Sequence, residues 1–345
     1  MREIYEFRVN EKYAYRLFDR DEGIHLSDAV RKIRISRDDH RFRDIGRLQS
    51  AVMNSERDSF YFGWNIIRTY STGELERAKL FYVNSARTFE PAGEECGTKY
   101  DDTVACSICG AGRMQVSDLV LDLRKIPKSS DIARTIANEW VVSQRFAELL
   151  VEEQISGVEI HPVHHKARYE NDPFDLSLVP SGQELLRVAE AEGFPYPTWQ
   201  FWVWLNRPEQ AQLVERATTE YANMRKHDAQ RKGKAPPIWY QLKVISNPVT
   251  ILSPPTQFGI DPFNEDLEGA YRCPLGHVLG LNILSELWIK HETWDRSDVV
   301  MTREMIGVRG GLLVPEPLVL ISARLHKLMK ERHITGYQVE IVHAV

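Results

Sequence analysis

The chain has 345 residues, which exceeds the length that a single hydrophobic core usually supports, so we expect two domains. Its 43% hydrophobic and 27% charged residues are ordinary for a folded protein and exclude a disordered or fibrous chain. A formal net charge of −5 provides no general basic field, which argues against nucleic acid as the main partner.

The N-terminus is charged, and no apolar stretch reaches the roughly 20 residues that span a membrane. Four cysteines are too few and too clustered to cross-link a chain of this length, so a reducing compartment suits them better. We therefore expect a cytoplasmic protein without a membrane partner, whose cysteines bind metal.

Local patterns predict several elements in chain order. Residues 26–35 are charged and predicted to be helical, and the alternating aromatic stretch 196–205 predicts a strand with one buried face. Residues 208–234 predict a polar helix with proline in its first turn, and 238–252 predict a strand. Helix and strand are mixed throughout, so the predicted fold class is α+β or α/β.

One segment occurs twice. Residues 140–146 (WVVSQRF) reappear as residues 319–325 (VLISARL), an offset of 179 from Ser143 to Ser322. In each copy an apolar strand runs into this serine, which can cap a helix, and a glycine and a second strand follow. Each copy is therefore predicted to be a strand-helix-strand unit.

A second alignment has an offset of 167 residues and pairs Cys106 with Cys273. It also pairs Ser130-Asp131 with Ser297-Asp298, which we interpret as helix caps. Because the two offsets differ by 12 residues, the second copy is expected to carry an insertion of that length around residues 305–316.

The repeat predicts two related lobes. The N-terminal lobe, residues 1–180, contains the first copy, and the C-terminal lobe, residues 181–345, contains the diverged second copy.

The cysteines have the spacing of a zinc knuckle. Cys106-Ser107-Ile108-Cys109-Gly110 places two thiolates on one site, and the glycine permits the tight turn behind them. Cys96 lies ten residues upstream of Cys106 and is a candidate third thiolate. The second copy reads Cys-Pro-Leu-Gly-His at 273–277, so glycine replaces its second cysteine and His277 follows.

Three arrangements remain open at this stage. Zinc is held by Cys96, Cys106, Cys109 and a local fourth ligand, or by Cys106 and Cys109 with Cys273 and His277 across the lobes, or no metal is bound. A closed set of four ligands would be structural, because catalytic zinc keeps a position for water.

A histidine cluster offers a different chemistry. In the cluster of His161, His164 and His165, the histidines at 161 and 165 are candidates for metal ligands or a general base. Carboxylates lie nearby in sequence at Glu159, Glu170, Asp172 and Asp175. Strand alternation places His161 and His165 on one face and His164 on the other, which favours a structural role. The sequence has no glycine-rich phosphate loop, nucleophile elbow or zinc-protease helix, so no catalytic residues are predicted.

The knuckle at 106–110, the incomplete motif at Cys273 and the closing pattern 317–325 before Gly336 resemble the bacterial double-CxxCG motif proteins. Some of these act as immunity proteins against toxins delivered between neighbouring cells. The resemblance covers about residues 95–163 and 269–345. It implies a binding protein that neutralises a toxin by occlusion, and the degenerate second motif implies no second intact metal site.

The sequence thus predicts a zinc-stabilised, non-catalytic binding protein with a toxin as its protein partner. The alternative is a nucleic-acid or nucleotide processing enzyme of a bacterial defence or mobile-element locus, using residues 161–165. A toxin-like neighbouring reading frame would favour the first function, and a helicase or recombinase would favour the second.

Overall fold

A computed structural model describes residues 1–166, 175–194, 199–231, 237–307 and 313–345. The helices of these residues are α1 (Glu11–Ala14), α2 (Phe42–Glu56), α3 (Thr72–Arg77), α4 (Gly93–Cys96), α5 (Gln144–Glu152), α6 (Pro180–Ala191), α7 (Trp199–Leu205), α8 (Ala211–Arg231) and α9 (Ala323–Glu331).

The strands up to the first copy's end are β1 (Arg2–Asn10), β2 (Ile24–Ser27), β3 (Val30–Ser36), β4 (Tyr61–Thr69), β5 (Leu80–Ser85), β6 (Thr88–Phe89), β7 (Tyr100–Asp101), β8 (Met114–Gln115), β9 (Val120–Leu121), β10 (Ile132–Thr135), β11 (Trp140–Ser143), β12 (Val158–Pro162) and β13 (His164–His165). The later strands are β14 (Trp239–Val244), β15 (Phe258–Asp261), β16 (Asn264–Glu265), β17 (Val278–Leu279), β18 (Asn282–Ile283), β19 (Leu287–Ile289), β20 (Val299–Gly307), β21 (Glu316–Ser322) and β22 (Tyr337–Ala344).

The first 69 residues build a sheet of order β2-β3-β1-β4 against which α2 packs. Tyr5, Phe7 and Val9 alternate along β1 and are buried, as a strand with one core face requires. The predicted helix at 26–35 is wrong, because these residues belong to β2 and β3. Ile33 and Ile35 alternate there on the buried face.

The two copies lie in two larger sheets that share a five-strand order, to which the second sheet adds β19. The first copy occupies the order β6-β10-β11-β14-β12 and the second β17-β20-β21-β5-β22-β19. Pairing keeps the predicted offsets, since Ile132 faces Val142 in one hairpin as Val299 faces Ile321 in the other. Helices α5 and α9 follow the second strand of each hairpin, and their apolar faces share one core. The α+β fold with a repeated strand-helix-strand unit is confirmed.

Each of these two sheets contains one strand that, in sequence, precedes the other copy. Strand β5 precedes the first copy in sequence but lies between β21 and β22, and β14 precedes the second copy but lies between β11 and β12. The registers correspond, since Leu80 faces Ser322 as Trp239 faces Ser143. The copies have thus exchanged a strand, so residues 1–180 and 181–345 are joined by strand pairing in both sheets.

A polar contact, here called the first clasp, joins the first copy to the second. Asp131 accepts hydrogen bonds from Ser143 Oγ (2.8 Å) and from the backbone N–H of Thr335 (2.9 Å), and it pairs with Arg145. Arg145 also donates to the carbonyl oxygen of Arg332 (3.0 Å). The carboxylate therefore links the helix start of one copy to the helix end of the other.

The second clasp repeats this arrangement with the copies interchanged. Asp298 accepts from Ser322 Oγ (2.7 Å), from Arg324 (2.8 Å) and from the backbone N–H of Ser156 (3.2 Å). Arg324 donates to the carbonyl oxygen of Glu153 (2.6 Å). Ser143 and Ser322 cap α5 and α9 as predicted, whereas the aspartates precede strands and hold the two copies together.

The first clasp predicts an acid-sensitive contribution to stability. Burial raises the pKa of Asp131, but hydrogen bonds from Arg145, Ser143 and Thr335 outweigh it and leave the pKa below its usual value. A carboxyl with a lowered folded-state pKa stabilises above its unfolded value of about 3.9, and this contribution disappears as pH falls through the lower folded value.

We expect Asp131→Asn to lower the free energy of unfolding at neutral pH by about 1–3 kcal/mol. The difference from the native chain should shrink as the pH falls below about 4, measured by urea unfolding at several pH values. The exposed Asp28→Asn is the control and should change neither quantity. A pH-independent difference for Asp131→Asn would contradict the role of its charge.

The described residues between β13 and β14 are mainly helical and include α6, α7 and α8. The predicted strand at 196–205 is wrong where it is described, because residues 199–205 form α7 with Phe201, Trp204 and Leu205 buried at i, i+3 and i+4. The predicted polar helix is confirmed as α8 up to Arg231. None of the described helices combines the length and the apolar composition that crossing a membrane requires.

Candidate metal centre

The knuckle of the first copy is a tight turn between β7 and β8. The N–H of Gly110 donates to the carbonyl oxygen of Cys106 (2.7 Å), and Cys106 N–H donates to that of Ala111 (2.8 Å). Gly110 has φ +73°, a left-handed conformation that glycine adopts without strain. The turn places both cysteine side chains on its inner side, where Cys109 is fully buried and Cys106 half-buried.

Hydrogen bonds within the turn favour the thiolate of Cys106. The backbone N–H groups of Cys109 and Ile108 donate to the Cys106 sulfur and lower its pKa. Burial raises the pKa of Cys109, although the N–H of Ala111 donates to its sulfur. Metal ligation requires deprotonated thiols, so N–H donors aimed at the sulfurs suit a metal-binding turn.

The second copy supplies a related turn. Cys273 N–H donates to the carbonyl oxygen of His277 (3.0 Å), and Gly276 N–H donates to that of Cys273 (2.8 Å). Gly276 has φ +85° and occupies the place of the missing cysteine. The chain reverses there, so that the imidazole one residue later reaches the position that a thiolate would take.

The two turns meet face to face. Ligand atoms of Cys106, Cys109, Cys273 and His277 all lie within 4.8 Å of one another. The sulfurs of Cys106 and Cys273 are 3.9 Å apart, and His277 Nδ1 is 3.2 Å from the sulfurs of both Cys109 and Cys273. This Cys₃His group can hold a metal ion, and it joins segments that are 167 residues apart in sequence.

Cys96 lies outside this group. It ends α4, is fully buried, and its sulfur accepts a hydrogen bond from the backbone N–H of Asp122. Burial raises the pKa of Cys96 as it does that of Cys109, so it is the position of Cys96 that separates it from the ligand group. Of the two zinc arrangements left open by the sequence, the structure assembles the one across the copies.

The insertion in the second copy supports the first knuckle. Met305 and Val314 belong to the lengthened β20–β21 hairpin, and Met305 packs with Cys109 and Cys273. Gly110 lies so close to Val314 that a Cβ atom at this glycine would be 2.9 Å from Val314 Cγ1. Met305 and Val314, the described residues of the predicted insertion that make these contacts, therefore lie against the first knuckle.

A buried carboxylate anchors the knuckle to the first copy. Glu139 accepts hydrogen bonds from Tyr100 Oη in β7, from Thr135 Oγ1 in β10 and from the N–H of Gly93 (2.9 Å) in α4. Arg113, beside β8, stacks its guanidinium 4.0 Å from the Tyr100 ring. The knuckle hairpin is thus held at its base as well as at its ligands.

The predicted histidine cluster does not converge on one point. His161 contacts Glu159 (3.1 Å), His164 contacts Asp118 (3.2 Å), and His165 accepts from the backbone N–H of Leu123 (3.2 Å). Glu170 and Asp172 lie outside the described residues, and Asp175 caps a 3-10 turn at Leu176–Leu178. In the described part of the chain, the Cys₃His set is the one group of three or more such ligands.

Comparison with known proteins was negative on all three counts. No family model matches the chain. No curated protein is similar to it, and no solved structure matches its fold.

Proposed function

We propose that the chain is a zinc-stabilised, non-catalytic binding protein that antagonises a bacterial toxin by occlusion. The observation that carries the proposal is the closed Cys₃His group between the two copies. Its four ligands would fill a tetrahedral sphere, which leaves no position for water or substrate and is typical of structural zinc.

The ligand spacing supports a single zinc ion. Sulfurs bound tetrahedrally at about 2.3 Å from one zinc ion are separated by roughly 3.8 Å, and a nitrogen at about 2.0 Å lies roughly 3.5 Å from each sulfur. The separations of 3.9 and 3.2 Å between ligand atoms are compatible with this geometry. Three thiolates and one imidazole are a common structural zinc set, in which soft sulfur ligands disfavour calcium and magnesium.

The metal centre presents apolar side chains to solvent. Ile108, within the first knuckle, is 45% exposed, and Leu275, at the matching position of the second turn, is 71% exposed. Val104 and Met114, which flank the first knuckle, are also more than half exposed. Exposed apolar side chains on a rigid, metal-fixed support favour a protein partner, because their burial stabilises a complex at no ordering cost to the loops.

The test uses the product of a neighbouring toxin-like reading frame. We expect co-expression of the chain to suppress its toxicity and the purified proteins to form a stoichiometric complex. Ile108→Glu and Leu275→Glu should each weaken the complex by about tenfold or more, measured by calorimetry, because a charge would be buried in an apolar contact.

Val151→Glu is the matched control. Val151 lies on α5 and is 68% exposed, so it carries the same charge change away from the metal centre and should leave affinity unchanged. Equal affinity of all three variants, or a complex that leaves toxicity intact, would contradict the proposal.

The resemblance of the knuckle to immunity-type double-CxxCG proteins motivates the choice of a toxin. The alternative enzyme function has no supporting geometry among the described residues, since the histidines contact different groups.

A further inference from the structure

A polar cavity lies where the N-terminal sheet meets both copies. It has a volume of about 360 Å³, and its walls include Trp64 and Arg68 of β4, Asn84 of β5, Arg134 of β10 and Glu340 of β22. A smaller cavity of about 160 Å³ adjoins it, and Tyr82, Arg134 and Asn138 line both. We call the two together the Arg134 cavity.

Arg134 lines this cavity and has an unpaired donor beside it. Its Nε is buried without a hydrogen-bond partner among the described residues. The guanidinium is held over the Trp140 ring, 5.4 Å from the ring centre. Burial lowers the pKa of Arg134, as expected for a cation removed from water.

Arg68 on the opposite wall is different. It pairs with Glu3 (2.9 Å) and Glu340 (2.6 Å) and donates to the carbonyl oxygen of Leu284 (2.8 Å). Its charge is therefore satisfied within the protein. The contrast indicates that this fold pairs a buried arginine where the pairing is purely structural.

The carboxyl that interacts electrostatically with Arg134 is Glu316, which lines the smaller cavity. Burial raises the pKa of Glu316 to about 7, so this carboxyl is partly protonated at neutral pH and only partly offsets the guanidinium charge. Asn84 Oδ1 is likewise buried without a partner. Arg134 and Asn84, which both line the cavity, thus have one buried donor and one buried acceptor without a partner among the described residues.

The second copy shows that the repeated hairpin forms without an arginine at this position. At the offset of the hairpin the second copy has Met301, which faces Val319 as Arg134 faces Trp140. Methionine fills the same position without a charge. Arg134 is half-buried, and its buried Nε without a partner costs free energy, so its presence in only one copy favours a role in binding.

We propose that the Arg134 cavity binds a small organic anion whose carboxylate or phosphate accepts hydrogen bonds from the Arg134 guanidinium. The volume suits a compact molecule, and Trp64 and Trp140 in the walls suit an apolar or aromatic body behind the anionic group. The cavity contains none of the Cys₃His ligands, although Val314 lines it and also lies against Gly110 of the first knuckle.

Calorimetric titration of the full chain with benzoate and, separately, with inorganic phosphate tests the proposal and distinguishes the two anionic groups. We expect a Kd of about 1 mM or tighter for at least one anion. Benzamide, a neutral analogue of benzoate with nearly the same shape, should not bind. Failure of both anions, or equal binding of benzoate and benzamide, would overturn the proposal.

Arg134→Met reproduces the residue of the second copy and removes the charge. We expect anion affinity to fall about 10- to 100-fold, as for loss of a charge-assisted hydrogen bond. The melting temperature of the ligand-free variant should be unchanged or higher, because an unpaired buried charge is removed. The exposed Arg87→Met should bind like the native chain. Unaltered affinity of Arg134→Met would refute the assignment, and the benzoate and benzamide comparison on the native chain holds even if a variant fails to fold.

Discussion

Replacing Cys273 with serine is expected to remove the bound metal and to lower the free energy of unfolding by about 4 kcal/mol or more. Cys273 is buried, and its sulfur lies 3.9 Å from that of Cys106 and 3.2 Å from His277 Nδ1. The ligands come from both copies, so metal loss also breaks the link between them. Metal analysis of untagged protein and urea unfolding with and without a chelator measure the two effects.

Cys96→Ser is the control for this experiment. Cys96 is as deeply buried as Cys273 but lies outside the ligand group, so its serine variant should keep one metal ion per chain. It should lose only about 1–3 kcal/mol, from replacing a buried sulfur with a hydroxyl that must keep the hydrogen bond from Asp122. Metal-free native protein of normal stability, or metal loss from Cys96→Ser alone, would eliminate the Cys₃His assignment. This result is separate from partner binding, which is tested on Ile108 and Leu275.

Gly336→Ala and Gly157→Ala are expected to be the most destabilising single-methyl additions, at about 4 kcal/mol or more each. A Cβ at Gly336 would lie 2.2 Å from the carbonyl oxygen of Ile132, and one at Gly157 would lie 2.1 Å from that of Val299. Both glycines also have positive φ, +91° and +87°. Backbone cannot move aside there without separating the copies at the clasps.

Gly193→Ala distinguishes the contact from the conformation. Gly193 has φ +79° but nothing within 4 Å of an added Cβ, so alanine should cost only about 1–2 kcal/mol for the left-handed backbone. Urea unfolding of the three variants gives the comparison. If Gly336→Ala unfolds at the same urea concentration as Gly193→Ala, the close packing of the two copies is not as described.

The exchanged strands explain why the repeat is strong in some segments and absent in others. Ser143 and Ser322 cap helices within their own copy and were recognisable from sequence, as were the turn glycines that follow these helices. Strands β5 and β14 hold equivalent positions but share no obvious pattern, since each packs against the opposite copy. The aspartates of the clasps were misread as caps for the same reason, because half of their partners come from the other copy.

Two secondary-structure errors have a local cause. The aromatic run that forms α7 alternates like a strand and also places Phe201, Trp204 and Leu205 on one helical face, so periodicity over seven residues does not separate the two. The charged residues of 26–35 suggested a helix, but β3 pairs with both β1 and β2, and this pairing stabilises strands there. Tertiary contacts override weak local preference in both segments.

The sequence by itself determined the local chemistry of this protein: a duplicated unit with serine caps and turn glycines, a cysteine knuckle, and an insertion in the second copy. Caps, turns and knuckles depend on residues a few positions apart, which a sequence displays directly. Only the tertiary structure decided that Cys106 and Cys109 meet Cys273 and His277 while Cys96 does not, and that one unpaired arginine lines a cavity. These depend on strand pairing between segments more than a hundred residues apart, for which the linear pattern carries no local signal.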